Sequence, residues 1–128
     1  MPSYSAIVLD EASHNKLIEI FSPAWENNED PDEWEILAHH YTIKMGSLPV
    51  SMDDMLGQQF TMKVLAFAGN DKVKAVQVER VIETQNKVAH ITLAVNRKRG
   101  GKPVQSNNLT EWVKVEHNIY ITGTLQEV

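Results

Sequence analysis

Two short His-x-Thr motifs contain the residues of this chain that are best suited to chemistry. They are His40-Tyr41-Thr42 and His90-Ile91-Thr92, and each lies inside an apolar, β-branched run typical of a buried strand, over 37–43 and 88–95. Because side chains alternate across a strand, each histidine shares a face with its threonine. An imidazole can accept or donate a proton near neutral pH, and a hydroxyl can donate to an anionic oxygen. On facing strands, these four groups suffice for acid–base chemistry on a phosphodiester.

The residues that alternate with the two motifs define the faces that should be buried. The predicted core positions are Ala89, Ile91, Leu93 and Val95 in the second run, and Leu37, Tyr41, Ile43 and Met45, with His39 among them, in the first. His40 and His90 should therefore point away from the core. These elements must bring the two histidines together if they are to act on one substrate.

The other histidines favour structural roles. His39 should face away from His40, as a core residue or as a supporting partner of the site. His117 shares a predicted strand face with apolar residues and should lie in the core, whereas His14 should face solvent on the first helix. The absence of cysteine excludes a disulfide, a thiol nucleophile and cysteine-bound zinc, and no histidine pair has helical zinc-ligand spacing. We expect no metal and no cofactor.

The two motifs resemble those of the two-histidine (2H, LigT-like) phosphoesterases, which carry two His-x-Thr/Ser motifs on strands of two pseudo-symmetric lobes. The stretch from His90 through 100–107 to Trp112 is similar to the segment that follows the second motif in several members. The resemblance implies a metal-independent phosphodiesterase that hydrolyses a 2′,3′-cyclic phosphate or a related nucleotide or RNA-end phosphodiester.

The same resemblance implies a role for each motif residue. His40 and His90 would serve as general base and general acid, in an order that the sequence leaves open. Thr42 and Thr92 would hold the phosphoryl oxygens. The expected partner is an RNA end or a small nucleotide that carries a cyclic phosphate.

The order of predicted elements indicates a single α+β domain over residues 1–128, with mostly antiparallel sheets and flanking short helices. The resemblance adds a compact bilobal arrangement in which the two His-x-Thr strands face a central cleft. The local signals predict a strand at 5–9, a helix capped by Asp10, a hairpin turn at 69–72 between strands 60–68 and 73–82, and a last strand at 113–125, with capping boxes at 51–54 and 108–111.

Charge is unevenly distributed along the chain. The net charge is −5, of which residues 1–60 contribute −9 and residues 61–128 contribute +4. A uniformly basic nucleic-acid binder is therefore excluded, whereas a local basic patch in the second half is not. No segment is apolar enough for a signal peptide or a membrane span, so we expect a cytoplasmic protein with no membrane partner.

A basic cluster directly follows the second motif. Arg97, Lys98, Arg99 and Lys102 flank two glycines, and they could clamp the phosphates of a nucleotide while the glycines allow close approach of the backbone. A solvated charged loop is the alternative. Lys44, on the face of His40, is a weaker candidate for the same role.

Aromatic residues and an acidic segment complete the set of candidates. Trp25, Tyr41 and Trp112 could stack on a base, although alternation turns Tyr41 towards the core and Trp112 is more typical of packing. Residues 24–35 are polar and acidic, which predicts a solvated connection rather than a metal site.

Two interpretations from other classes remain open from the sequence. The same cleft could bind an RNA end or a nucleotide without cleaving it. Alternatively, the protein could be structural, with accidental His-x-Thr pairs that lie far apart in the fold. Within the enzyme interpretation, the substrate could be a tRNA-processing end, an ADP-ribose cyclic phosphate or a cyclic oligonucleotide.

Overall fold

The computed structural model of the protein describes residues 4–26 and 34–128. The strands are β1 (Tyr4–Leu9), β2 (Trp34–Ile36), β3 (His40–Met45), β4 (Gln59–Gly69), β5 (Val73–Val78), β6 (His90–Asn96), β7 (Val113–Lys114) and β8 (Tyr120–Glu127). The helices are α1 (Glu11–Phe21), α2 (Pro23–Glu26) and three 3₁₀ helices, at Val50–Met55, Arg97–Arg99 and Pro103–Asn108.

Six of these strands close into an antiparallel barrel. Their order is β6-β3-β1-β8-β4-β5, and β5 pairs back with β6 to complete the circle. β2 also pairs with β6, and β7 also pairs with β4. The predicted antiparallel sheet with a few short helices is confirmed. The described strands form one continuous sheet rather than separate sheets in two lobes.

The first crossover from strand to helix follows the sequence signals closely. The side chain of Asp10 accepts a hydrogen bond from the Ser13 amide at 2.7 Å, which caps α1 as predicted and lowers the pKa of that carboxyl. Leu17 then lies fully buried in the barrel core. The helix ends at Phe21, next to the proline that begins α2.

Trp25 corrects part of the prediction for residues 24–35. It lies in α2 and is only 1% exposed, as part of the main core cluster, so it cannot stack on a bound base. Trp34, at the other end of the segment, is also buried and begins β2. The acidic residues between them, within 27–33, lie outside the described residues.

The hairpin predicted between β4 and β5 is confirmed. The side chain of Asn70 accepts hydrogen bonds from the amides of Lys72 and Val73, which closes the turn. β5 ends at Val78, four residues earlier than the predicted strand.

Four other local predictions were wrong. The helix at Val50–Met55 is a 3₁₀ helix with Pro49 at its N-cap and no side-chain cap, and the stretch 109–112 is not helical. The predicted last strand is divided, because β7 and β8 pair with different parts of β4. His117 lies in the irregular segment between them and is exposed rather than in the core.

Gly101 lies where two segments of the backbone pack closely against each other. The close approach is to the protein's own chain, not to a ligand. Its amide donates to the Asn96 carbonyl at 2.7 Å, and a Cβ there would overlap the Lys72 carbonyl oxygen. Its neighbour Gly100 has φ +81°, which closes the preceding 3₁₀ helix. The glycines of this loop therefore let the β6 exit pack against the β4–β5 hairpin.

This packing predicts a stability effect. Gly101→Ala should lower the free energy of unfolding by about 1–3 kcal/mol, because backbone atoms on both sides must move to admit the methyl group. Chemical denaturation of the variant measures this change. Lys102→Ala, at the exposed next position, is the matched control and should stay within about 0.5 kcal/mol of the parent. Equal stability of the two variants would contradict the prediction.

Candidate functional site

A wide bulge at the start of β3 determines where the first histidine points. The Ala38 amide donates to the Thr92 carbonyl, and the next bridge on the same strand pair joins Tyr41 to Ile91. Residues 39–40 are therefore two extra residues on the β3 side, because their flanking residues Ala38 and Tyr41 pair with Thr92 and Ile91, which are adjacent in β6. Ala38 has φ +47°, the left-handed geometry that lets the chain turn there. Such bulges re-aim side chains, often beside functional sites.

The bulge breaks the alternation that the sequence pattern assumed. Tyr41 and Ile43 are buried in the core as predicted. Met45 is 66% exposed and His39 is exposed at the pocket, which corrects the predicted core set of this strand. Leu37 is partly buried, because it lines the pocket and also packs against a smaller apolar cluster. The core set of β6, in contrast, is buried throughout and is confirmed.

The structure contains a pocket of about 480 Å³ beside this bulge. That volume is within the range of roughly 300–1,000 Å³ found for small-molecule sites. Its lining consists of Tyr4, Leu37, His39, His40, Thr42, Met45, Gln85, Asn86, His90, Thr92, Pro103, Val104 and Asn107. All four motif residues, from two strands about fifty positions apart, therefore meet in one cavity.

The register between β3 and β6 explains this meeting. Because the strands are antiparallel and Tyr41 pairs with Ile91, one step along each strand sets Thr42 opposite His90. Among the described residues, Tyr41–Ile91 is the only bridge between β3 and β6, whereas β5 pairs with the other edge of β6 from Val95 to His90. The two motif strands thus separate from each other at the site, which leaves the space that the pocket occupies.

Histidines are the main charge-bearing groups in this lining. Among the lining residues, the titratable side chains are His39, His40, His90 and Tyr4, and there is no lysine, arginine or carboxylate. An anion bound here would therefore find its positive charge on an imidazole.

His90 is 8% exposed and has a defined orientation. Its Nδ1 lies 2.8 Å from the Val88 carbonyl oxygen, which can only accept, so Nδ1 carries the proton of the neutral ring. Nε2 is then the atom left for a ligand. Burial lowers the pKa of His90 below its usual value, and the bond to Val88 opposes that shift.

His40 is held on two sides. Its ring stacks on Tyr4 with 4.7 Å between centroids, and its Nδ1 lies 2.9 Å from Nδ1 of His39. Burial, followed by the charges of His39 and His90, lowers the pKa of His40 to about 4. Both motif histidines are therefore neutral in the empty pocket at neutral pH.

The two threonines differ in their surroundings. The hydroxyl of Thr92 lies 2.8 Å from the hydroxyl of Ser106, a buried residue of the 3₁₀ helix Pro103–Asn108. The carbonyl of Thr42 accepts the Thr84 hydroxyl at 2.6 Å, which ties β3 to the next loop. Ser106 was not predicted as a supporting residue, because its position depends on how the 3₁₀ helix packs and no sequence motif indicates that packing.

One wall of the pocket is a loop held by an arginine. Arg80 donates to three carbonyls of residues 84–87, at 2.8 to 3.4 Å. The side-chain oxygen of Gln85 accepts a hydrogen bond from the Met45 amide at 2.9 Å, and Gln85 and Asn86 both line the pocket. These two amides were also missed, because they lie in an irregular segment without a pattern.

The predicted basic residues lie outside this pocket. Its lining includes none of Lys44, Arg97, Lys98, Arg99 and Lys102. The guanidinium of Arg97 instead binds Glu35 at 2.8 Å, and that of Arg99 lies 3.8 Å from Asp71. The 3₁₀ turn at Arg97–Arg99 carries these side chains away from the His90 end of β6.

Two structural findings bear on other classes of site. Within residues 4–26 and 34–128, no group of three or more His, Asp or Glu side chains could hold a metal ion. In the same part of the chain, no helix has the length and apolar character needed to cross a membrane.

Comparison with protein families agrees with the site. Residues 14–127 match the family described as the fungal tRNA ligase phosphodiesterase domain. The chain belongs to this family. The family is one of the 2H phosphoesterases, so the resemblance inferred from the two motifs is confirmed. No curated protein matches the chain.

Membership in this phosphodiesterase domain family supports a 2′,3′-cyclic phosphodiesterase activity and a hydrolase acting on phosphodiester bonds. The match covers most of α1, all of β8 and every residue of the pocket lining except Tyr4.

Proposed function

We propose that this domain hydrolyses a 2′,3′-cyclic phosphate at an RNA end or on a nucleotide, with His40 and His90 as the proton-transferring pair. The observation that carries the proposal is that both imidazoles and both motif threonines line one cavity, where strands β3 and β6 separate. The proposal does not need the complete bilobal architecture expected from the resemblance. It needs only that the two motif strands face one cleft.

The chemistry requires one proton acceptor and one proton donor. Water attacks the phosphorus atom and gives up a proton to the base, and the bond from phosphorus to one ribose oxygen breaks. The acid protonates that oxygen, so the products are a phosphomonoester and a free ribose hydroxyl. Proton gain by one imidazole and proton loss by the other balance within each turnover.

The environments of the two histidines support one order of these roles. His40 has its pKa lowered to about 4 by burial and by two neighbouring imidazoles, so it is unprotonated and suits the base. The pKa of His90 is lowered by burial but supported by the Val88 carbonyl, which stabilises the protonated ring. His90 therefore suits the acid, with Nε2 directed at the leaving oxygen.

Thr42 and Thr92 would donate hydrogen bonds to the non-bridging oxygens of the phosphate. Ser106 supports this role for Thr92, because its hydroxyl can donate to the Thr92 oxygen. The Thr92 proton, which is directed at the Pro103 carbonyl at the long distance of 3.5 Å, could then turn to a phosphate oxygen. These donors stabilise the charge that develops on the phosphoryl group during attack.

The basic residues keep a role only beyond the cyclic phosphate. Lys44, Arg97, Lys98, Arg99 and Lys102 would contact phosphates further along an RNA strand, which position a nucleic acid without reading its sequence. Because they are not part of the pocket lining, they are candidates for affinity towards RNA rather than towards mononucleotides. A single domain in the cytoplasm, as expected from the sequence, remains part of the proposal.

The proposed hydrolysis is tested by measuring turnover of defined substrates without added metal. We expect the protein to convert nucleoside 2′,3′-cyclic phosphates, and RNA with a 2′,3′-cyclic phosphate end, into phosphomonoesters in the presence of excess EDTA. Release of inorganic phosphate by an added phosphatase reports each product. Loss of turnover in EDTA, with recovery on adding a divalent metal, would contradict the metal-independent mechanism.

A non-catalytic binding module is the alternative from another class. Binding of the cyclic-phosphate RNA by calorimetry, without product from any of these substrates, would favour that module over the enzyme.

A further inference from the structure

We propose that His39 is a positioning residue that holds His40 in the tautomer needed to accept a proton. The inference rests on the proposed function of His40 and goes beyond it, because it assigns a task to a histidine outside the His-x-Thr motifs.

The bulge of β3 makes this contact possible. Neighbouring residues in a regular strand point to opposite faces, so His39 and His40 would not meet there. The inserted pair 39–40 instead turns both rings into the same pocket, with their centroids 5.1 Å apart and the rings nearly perpendicular at 83°. The backbone of His39 is fixed independently, because its carbonyl accepts the Leu9 amide at 2.9 Å.

The contact between the rings joins two like atoms. Nδ1 of His39 and Nδ1 of His40 are 2.9 Å apart, so one of them must carry the proton and the other must accept it. If His40 donates, its Nε2 keeps a lone pair and can take a proton from water. If His39 donates, Nε2 of His40 carries a hydrogen and the ring cannot serve as a base.

Proton transfer favours the first arrangement. When Nε2 of His40 takes a proton, the ring becomes an imidazolium whose Nδ1–H still donates to His39, and a charge-assisted bond is stronger than a neutral one. In the second arrangement the added proton would have to go to Nδ1 of His40, where it would face the Nδ1–H group of His39. His39 thus acts towards His40 as an oriented acceptor acts towards a catalytic histidine, with a neutral ring in place of a carboxylate.

Tyr4 and His39 together leave His40 little freedom. Tyr4 covers a face of the ring, and His39 bonds its Nδ1 edge, so Nε2 is the polar atom left for substrate. His90 is oriented in the analogous way by the Val88 carbonyl. Both motif histidines therefore have Nδ1 engaged by the protein.

The first test separates positioning from binding. His39→Leu should lower kcat about tenfold or more and change KM less than threefold, because the cyclic phosphate contacts His40 rather than His39. His39→Asn should recover much of the rate, because the side-chain oxygen of asparagine can accept from His40. His117→Leu, which removes an exposed histidine outside the pocket, is the control and should match the parent.

The second test needs no activity. Nitrogen-15 NMR of the imidazole rings should show Nδ1 of His40 protonated and Nε2 bare in the neutral parent and in His39→Asn. In His39→Leu the ring should become a mixture of tautomers. This measurement stands even if no cyclic phosphate is hydrolysed, so failure of the proposed function and failure of this inference can be told apart.

Parental kcat in His39→Leu, or equal losses in His39→Leu and His39→Asn, would overturn the inference. So would an unchanged His40 tautomer in His39→Leu.

Discussion

His40→Ala and His90→Ala should each lower turnover of a 2′,3′-cyclic phosphate by about a thousandfold. General acid and general base catalysis contribute roughly 10²–10⁴-fold each, and the pocket lining has no lysine, arginine or carboxylate that could replace the lost ring. The third imidazole of the lining, His39, has its Nδ1 directed at His40. Stopped assays at substrate concentrations above KM measure kcat directly. Because the two rings act in one reaction, the double variant should lose little more than either single variant.

The matched variants separate chemistry from folding. His40 is half-buried at the pocket and should be replaced with little change in thermal stability, whereas His90 is nearly buried and bonded to Val88. His90→Asn keeps a side-chain N–H near the Val88 carbonyl and should fold like the parent while remaining inactive. A rate within tenfold of the parent in either alanine variant would remove that histidine from the proposed mechanism.

The second motif strand shows what could be predicted from the sequence. Ala89, Ile91, Leu93 and Val95 are all buried, and His90 and Thr92 line the pocket. The prediction succeeded because β6 has paired neighbours on both edges, which bury its apolar side chains even though its register with β5 shifts between Ala94 and Thr92.

The first motif strand shows why the rest could not be predicted. Alternation assumes a regular strand, but the backbone turns at Ala38 with a positive φ, and two residues are inserted before Tyr41. Alanine has no special preference for that geometry, so no local signal announces it. The turn is supported instead by a tertiary contact, from the half-buried His14 of α1 to the Ala38 carbonyl at 3.1 Å.

The supporting residues of the site were hidden for a similar reason. Ser106, Gln85 and Arg80 act through loops whose shape depends on contacts across the barrel. Proximity in sequence to His90 also predicted a phosphate clamp, which stays a prediction, because the lining of the pocket includes none of Arg97, Lys98, Arg99 and Lys102.

The pH dependence of the reaction follows from the two lowered pKa values. In the free enzyme, the base must be unprotonated and the acid protonated. The pKa of His40 lies at about 4, and that of His90 lies below the ordinary histidine value of about 6.5. The profile of kcat/KM should therefore be a bell with an acidic optimum, whose alkaline limb reports loss of the proton from His90.

The alkaline limb of the kcat/KM profile has an expected direction and size. Above the pKa of His90 the protonated fraction falls tenfold per pH unit, so kcat/KM should drop about a hundredfold between roughly pH 6.5 and 8.5. A bound phosphate is an anion beside both rings, which raises their pKa values, so the bell for kcat should lie at higher pH than the bell for kcat/KM. Steady-state kinetics across this range, at constant ionic strength, measure both profiles. A kcat/KM that stays level over those two units would show that neither His40 nor His90 acts as the acid, because the pKa values of both are lowered and both rings lose their proton below this range.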